Sequence, residues 1–217
     1  MALSDGNGEV AGVLLAGGRS TRLGGGDKGL IELAGRPMLA HVIARLSPQV
    51  GRLAISANGD PARFAQFGLP VVADIVEGGA GPLAGLHAGF AWATRAAPQT
   101  RYIVTAPADA PLLPLDLVAR LCEAQRKNGA AVAIAASGGV RHPVAGLWDV
   151  ALADKLAEAL RRGVRAMHAF ADENECAVAE FAFVSAGNDS IDPFFNVNTP
   201  ADLAMARTLL AAETARG

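Results

Sequence analysis

At 217 residues with 51% hydrophobic content, the chain is long enough to bury one core and reads as a single globular domain. A formal net charge of -2 gives no bulk attraction for nucleic acid or an anionic membrane, so any phosphate binding must be local. The longest uncharged stretch, residues 78–94, is broken by Gly79, Gly81, Pro82 and Gly85, which argues against a membrane span.

The N-terminal MALSDGNGEV lacks the basic start and long apolar stretch of a secretory signal, so residues 1–8 are expected to be flexible and 9–217 to form one domain. Short apolar runs alternate with segments of helical periodicity, the pattern of βαβ units in a mostly parallel sheet. Strands are expected at 10–16, 53–57, 71–73, 102–106, 131–136, 144–148 and 178–184, with a helix following each. Pro37 opens PMLAHVIARL and Pro82 opens PLAGLHAGFAWATR, each in the first-turn position that proline favours. Ser137, Gly138 and Gly139 predict a hairpin or edge excursion late in the sheet. Thr199, Pro200 and Asp202 form a helix start that runs to about Ala212, with the Thr199 hydroxyl as cap. The two cysteines, Cys122 and Cys176, have neither metal nor redox spacing, and a reducing cytoplasm is the simplest setting.

The first predicted strand runs into LLAGGRSTRLGGGDKG, residues 14–29. Gly24, Gly26 and Gly29 satisfy G-x-G-x-x-G, but a dinucleotide fingerprint should follow its strand at once and be answered by an acid about 20 residues on. A G-K-[ST] phosphate loop is also absent, because Gly29 follows Lys28. Gly17 and Gly18 instead lie at the carboxyl end of the strand, where open α/β sheets place ligands and bare backbone amides can approach phosphate oxygens. Arg22 and Lys28 supply cations, and among 19 basic residues only three are lysines, which makes Lys28 conspicuous. A solvated glycine turn with incidental charges is the plainer alternative. Asp27 is expected to orient Lys28 or Arg22 through a local ion pair.

The stretch LAGGRSTRLGGGDKGLIELAGRPML resembles the signature of the molybdenum cofactor guanylyltransferases: L-A-G-G, an arginine, G-G-x-D-K and a later G-x-P-(M/L), in that order. The likeness continues in SANGD (56–60), VVADIVEGGAGPLAG (71–85), APADAPLLP (106–114), RHPVAGLW (141–148) and FFNVNTPADL (194–203), nearly the whole chain. It implies a single-domain, three-layer, Rossmann-like α/β nucleotidyltransferase fold. It also implies a nucleotide site at Leu15, Ala16, Gly17, Gly18, Lys28, Ser56, Asn58, Asp74 and Asp109, with Arg22, Lys28 and Asp109 catalytic. Gly81, Pro82, Arg141, His142, Asn196 and Asn198 fall on the acceptor side.

Each of these positions has its own chemistry. Asp109 follows a strand, and a carboxylate there can hold Mg²⁺ against nucleotide phosphates, although a turn between Pro107 and Pro111 would also explain it. The resemblance makes Asp109 the metal-binding aspartate. Asp74 either caps a loop or contacts the nucleotide, as the resemblance implies; a carboxylate suits guanine, whose Watson–Crick edge offers two neighbouring donors. Ser56 replaces the asparagine usual in the family's N-A-N, a shorter group able to donate or accept one hydrogen bond. Pro82 serves equally as a helix start, His142 as a packed hairpin residue and Asn198 as a turn before Thr199.

The resemblance implies transfer of GMP from GTP to the terminal phosphate of molybdenum-molybdopterin, releasing pyrophosphate, with Mg²⁺ as cofactor. Contacts are expected with small-molecule substrates and transiently with molybdoenzymes or their chaperones, in the cytoplasm, with neither nucleic acid nor membrane as a partner. A cytidylyltransferase for the same pterin, a sugar-phosphate nucleotidyltransferase and a non-catalytic nucleotide-binding module are the alternatives.

Overall fold

The computed structural model describes residues 9–17, 25–75, 81–186 and 189–214; the N-terminal segment 1–8, expected to be flexible, lies outside them. In chain order the first half comprises β1 (Val10–Leu15), β2 (Glu32–Leu33), β3 (Arg36–Pro37), α1 (Met38–Leu46), β4 (Arg52–Ser56), β5 (Val71–Val72) and α2 (Gly81–Ala96). There follow β6 (Tyr102–Pro107), α3 (Leu117–Asn128), β7 (Val132–Ser137), β8 (Val140–Asp149), α4 (Ala153–Arg161) and α5 (Met167–Asp172). The chain ends with β9 (Cys176–Phe181), β10 (Val184–Ala186), β11 (Asp189–Ile191) and α6 (Pro200–Thr214).

Seven strands form one sheet in the order β5-β4-β1-β6-β8-β7-β9. All are parallel except β8, which runs antiparallel to both of its neighbours. Because successive strand residues face opposite sides, β1 sends Val10 and Leu14 into one apolar layer with α1 and α3, and Ala11 and Val13 into the other with α2, α4 and α5. This is the three-layer α/β architecture expected from the alternating pattern. A third cluster joins α6, through Ala206, Leu209 and Leu210, to Leu33, Met38, Leu112 and Val197.

The contact of α2 with β1 depends on two glycines four residues apart. A Cβ on Gly85 would lie 2.7 Å from Leu15 Cδ2 and 2.7 Å from Ser56 Oγ, and one on Gly89 would lie 2.7 Å from Val13 Cγ2. Their bare backbone lets α2 pack close along β1 and against the end of β4.

Several expectations are corrected. The connection from β4 to β5 holds a 3-10 segment, Pro61–Phe67, not an α-helix; Asp60 caps its start and Gly68, at φ 63°, ends it after seven residues. The strand expected at 178–184 is broken: β9 ends at Phe181, and Val184 begins a separate two-stranded ribbon with β11. The late hairpin is present, turning at Gly138 and Gly139, but β8 starts at Val140, earlier than its expected 144–148 span, and a register shift at Ile134/Ala135 absorbs the irregular alternation. Both cysteines carry free thiols. Among the described residues no helix is long and apolar enough to cross a membrane.

Candidate functional site

The carboxyl ends of β1, β4 and β6 lie side by side, and the loops leaving them build the site. Over β1 and β4 lies a cleft of about 340 Å³ lined by Leu15, Gly17, Ser56, Ala57, Asn58, Asp74, Gly81, Pro82, Gly85 and Val144. Ala16 is buried and donates its N–H to the Ser56 carbonyl at 2.9 Å, extending the β1–β4 pairing to the floor of the cleft. On one wall Asn58 clamps Asp74 from both sides. Its amide donates to Asp74 Oδ2 at 2.7 Å, and its Oδ1 accepts the Asp74 backbone N–H at 2.9 Å. The carboxylate is thereby held in one orientation at the cleft mouth.

Over the end of β6 lies a polar cluster. Lys28 Nζ reaches Asp109 Oδ2 at 3.2 Å and donates to Asn198 Oδ1. Gly29 helps bring Lys28 so close: a Cβ there would lie 3.2 Å from Leu39 Cβ and 3.4 Å from Ala108 Cβ, a tight fit that glycine relieves as the loop presses against the residue beside Asp109. Asn198 is brought across the chain by backbone bonding, because Val197 N–H donates to the Asp109 carbonyl at 3.0 Å. Behind it Asp202 Oδ2 accepts from the backbone N–H of Asn198 at 2.9 Å and of Thr199 at 2.8 Å, and Asp202 N–H donates to Thr199 Oγ1 at 3.2 Å. This is the reciprocal helix start read from the sequence. Partial burial pushes the Asp202 carboxyl up, but these hydrogen bonds, with a smaller contribution from Lys28, bring it below its ordinary range.

On β8 the two adjacent acceptor-side candidates part company. Arg141 pairs with Asp172 at 2.8 Å and reaches Cys176 Sγ at 3.8 Å. His142 instead stacks on Phe194 with ring centroids 4.7 Å apart, and its Nε2 lies 2.7 Å from Ser137 Oγ and 3.3 Å from Asp192 Oδ2. Ser137 donates its hydroxyl proton to Asp192 Oδ1 at 2.8 Å, so His142 Nε2–H is the donor toward serine and the group is no activated nucleophile. Burial holds the His142 imidazole below its ordinary pKa, opposed by Asp192 and Glu180.

Of the residues singled out in the sequence, Leu15, Gly17, Ser56, Asn58, Asp74, Gly81 and Pro82 share the cleft, and Lys28, Asp109 and Asn198 share the polar cluster. Gly18 and Arg22 lie outside the described residues. Arg141 and His142 are not among the cleft's lining residues, and Asn196 is exposed with its carbonyl accepting from Asn198 Nδ2 at 3.2 Å. Asp27 pairs with Arg63 at 2.5 Å, correcting the expected pair with Lys28, whose carboxylate partner is Asp109. Arg63 and Asp192 escaped the sequence reading, and Ser137 entered it only as a hairpin residue. Asp192 stands two positions before the FFNVN motif and Arg63 three positions after SANGD, so nearness to a motif was the available signal.

A family profile described as MobA-like NTP transferase domain matches residues 12–176. A molybdenum cofactor guanylyltransferase of Mesorhizobium japonicum is 46% identical over 207 residues, covering 95% of this chain and 98% of that protein. Another protein of that name, from Rhodopseudomonas palustris, is 48% identical over 198 residues, covering 91% and 92% respectively. Among solved structures, molybdopterin-guanine dinucleotide biosynthesis protein A of Archaeoglobus fulgidus superposes with a TM-score of 0.70 at 21% identity, covering 93% of this chain and 98% of its own. At that identity the likeness speaks for the fold.

Proposed function

This chain belongs to the molybdenum cofactor guanylyltransferase family of nucleotidyltransferases, and from that premise we propose that it transfers GMP from GTP to the terminal phosphate of molybdenum-molybdopterin. The observation that carries the proposal is the arrangement of Lys28, Asp109 and Asn198 beside a cleft that ends at Gly17 and Asp74. The cleft accommodates the nucleoside, with the Asp74 carboxylate accepting the two neighbouring donors of guanine while Asn58 holds it in place. The bare backbone of Gly17, together with Gly18, receives the triphosphate at the sheet edge. Ser56 contributes a short hydrogen-bonding group on the cleft floor. Gly81 and Pro82 form the opposite wall.

In the reaction an oxygen of the acceptor phosphate attacks the α-phosphorus of GTP; the new P–O bond forms as the α–β bridging bond breaks, and pyrophosphate leaves with the electron pair. The acceptor oxygen is already ionised, so no protein nucleophile or base is required, and positioning with charge stabilisation supplies the rate. Lys28, held by Asp109 and Asn198, and Arg22 stabilise charge developing around the transferred phosphoryl group. Among the described residues no group of three or more His, Cys, Asp or Glu side chains forms a dedicated metal cage. The Asp109 carboxylate nevertheless suits Mg²⁺, which takes one or two carboxylates together with phosphate oxygens and water; its Oδ2 pairs with Lys28, and Oδ1 is the oxygen that would hold the ion. When bound there, Mg²⁺ would supply neutralisation of charge on the triphosphate and the departing pyrophosphate. Asn196 and Asn198 are proposed on the acceptor side; His142 supports their segment through its stacking on Phe194, and Arg141 is engaged with Asp172 instead. We place the protein in the cytoplasm, with transient contacts to the molybdoenzymes or chaperones that take its product.

The test is pyrophosphate release and product mass with GTP, Mg²⁺ and molybdenum-molybdopterin. Lys28→Ala is expected to lower kcat by about 100-fold or more, the scale of losing one transition-state cation or donor. Undiminished turnover would remove Lys28 from the mechanism, and a clear preference for CTP would overturn the guanine assignment.

A further inference from the structure

The segment that follows Asn58 is built to return one side chain over its own loop. Gly59 turns the chain at φ 84°, Asp60 Oδ1 accepts the Ala62 N–H at 2.9 Å, and Pro61 opens the 3-10 segment that carries Arg63. The Arg63 guanidinium, 4.5 Å from the ring centroid of fully buried Phe64, donates through its two terminal nitrogens to the carbonyls of Asp60 and Asn58. Its Nε donates to Asp27 Oδ2 at 2.5 Å. A planar fork with fixed donor directions serves three acceptors at once, which a lysine ammonium on a flexible stem cannot reproduce.

The partners of Arg63 belong to different halves of the site. Asn58 holds Asp74 on the cleft wall, whereas Asp27 adjoins Lys28, which reaches Asp109. A continuous chain of polar contacts therefore runs from Asp74 through Asn58 and Arg63 to Asp27. Its last member adjoins the lysine of the polar cluster. The Asp27 and Arg63 side chains are only about four-fifths buried, 21% and 25% exposed, so the pair is a weak source of stability. Its value is geometric.

We propose that Arg63 is a positioning residue that couples the base-recognising loop to the triphosphate-gripping loop, so that each half of the nucleotide binds better when the other is present. This rests on the nucleotide-transfer reading of the cleft. Arg63→Gln and Asp27→Asn are each expected to weaken GTP binding roughly tenfold, the scale of coupling in one polar network, and the double variant to be no worse than Arg63→Gln alone. Guanosine alone and inorganic tripolyphosphate alone should bind both variants within about twofold of the unaltered protein, because only the link between the halves is lost. Arg63→Lys should rescue little, while the urea midpoints of all variants stay close together. Calorimetric titration of the three ligands reads the coupling without acceptor or turnover. GTP affinity unchanged in Arg63→Gln, additive losses in the double variant, or guanosine and tripolyphosphate weakening in step with GTP would each overturn the proposal. Absence of pyrophosphate release by the unaltered protein would instead count against the transfer reaction.

Discussion

Thr105 is fully buried in β6, and its hydroxyl is used twice: Oγ1 accepts from Trp148 Nε1 at 2.9 Å and donates to the Gly146 carbonyl at 3.3 Å. Valine has nearly the same shape and neither function, so Thr105→Val leaves the indole N–H unpaired in an apolar layer and should cost about 1–3 kcal/mol. Urea unfolding measures the loss, and Thr105→Ser, which keeps the hydroxyl, should recover most of it. Residues of this kind are not legible beforehand, because a threonine in a strand is ordinary and its partner lies 43 positions on. Lys28, Asp74 and Asp109 were legible for the opposite reason: each closely follows a predicted strand end or stands in a glycine loop, where chemistry gathers. His142 was an open choice between packing and binding; its contacts with Phe194, Ser137 and Asp192 show it packed and hydrogen-bonded.

Helix α2 carries a test at the scale of elements. Alanine at Gly89 meets the stiff, β-branched Val13 and should destabilise by about 1–3 kcal/mol through overpacking, whereas alanine at Gly85 meets the side-chain ends of Leu15 and Ser56 and displaces them at smaller cost. The two differ in function, because Leu15 and Ser56 line the cleft and Val13 does not. Gly85→Ala should therefore raise KM for GTP while Gly89→Ala leaves it near that of the unaltered protein; equal effects on KM would refute the distinction. The long elements were readable from periodicity, since α1, α2 and the buried strands each show a run of the right period. The β2–β3 ribbon was not. Its strands have two residues each, and its turn places Ala34 at φ 50° and Gly35 at φ 77°, where the recognisable hairpin signal is Asn-Gly or Asp-Gly. His41 supports that ribbon instead: Arg36 donates to its Nδ1 at 3.2 Å, and its Nε2–H donates to the Leu33 carbonyl at 2.7 Å.

For the whole molecule, acid should be destabilising well above the carboxylate range. Burial lowers the pKa of His41, where Arg36 and Arg45 add to the effect against the Leu33 hydrogen bond, and burial also lowers that of His142. The unfolded chain takes up protons at these residues as the pH falls below about 6.5, while the folded chain resists them until lower pH. Stability is thus fully present above that value and lost as the pH falls through the depressed folded values. Urea midpoints measured between about pH 7.5 and pH 5 should decline with acid, and His41→Gln should flatten the decline even if its midpoint is lower at the neutral end. A flat profile in the unaltered protein would refute this account.

The bond from Val197 to Asp109 and the reach of Asn198 to Lys28, across 170 positions, also set an order of events during biosynthesis. The ribosome delivers the glycine loop early, and β1, β4 and β6 can pair as they emerge. The lysine nevertheless lacks its amide partner until residue 198 has left the exit tunnel. A nascent chain halted before that point holds β1, β4 and β6 without the Asn198 arm of the polar cluster, which is completed late in translation, after most of the sheet is already available to fold.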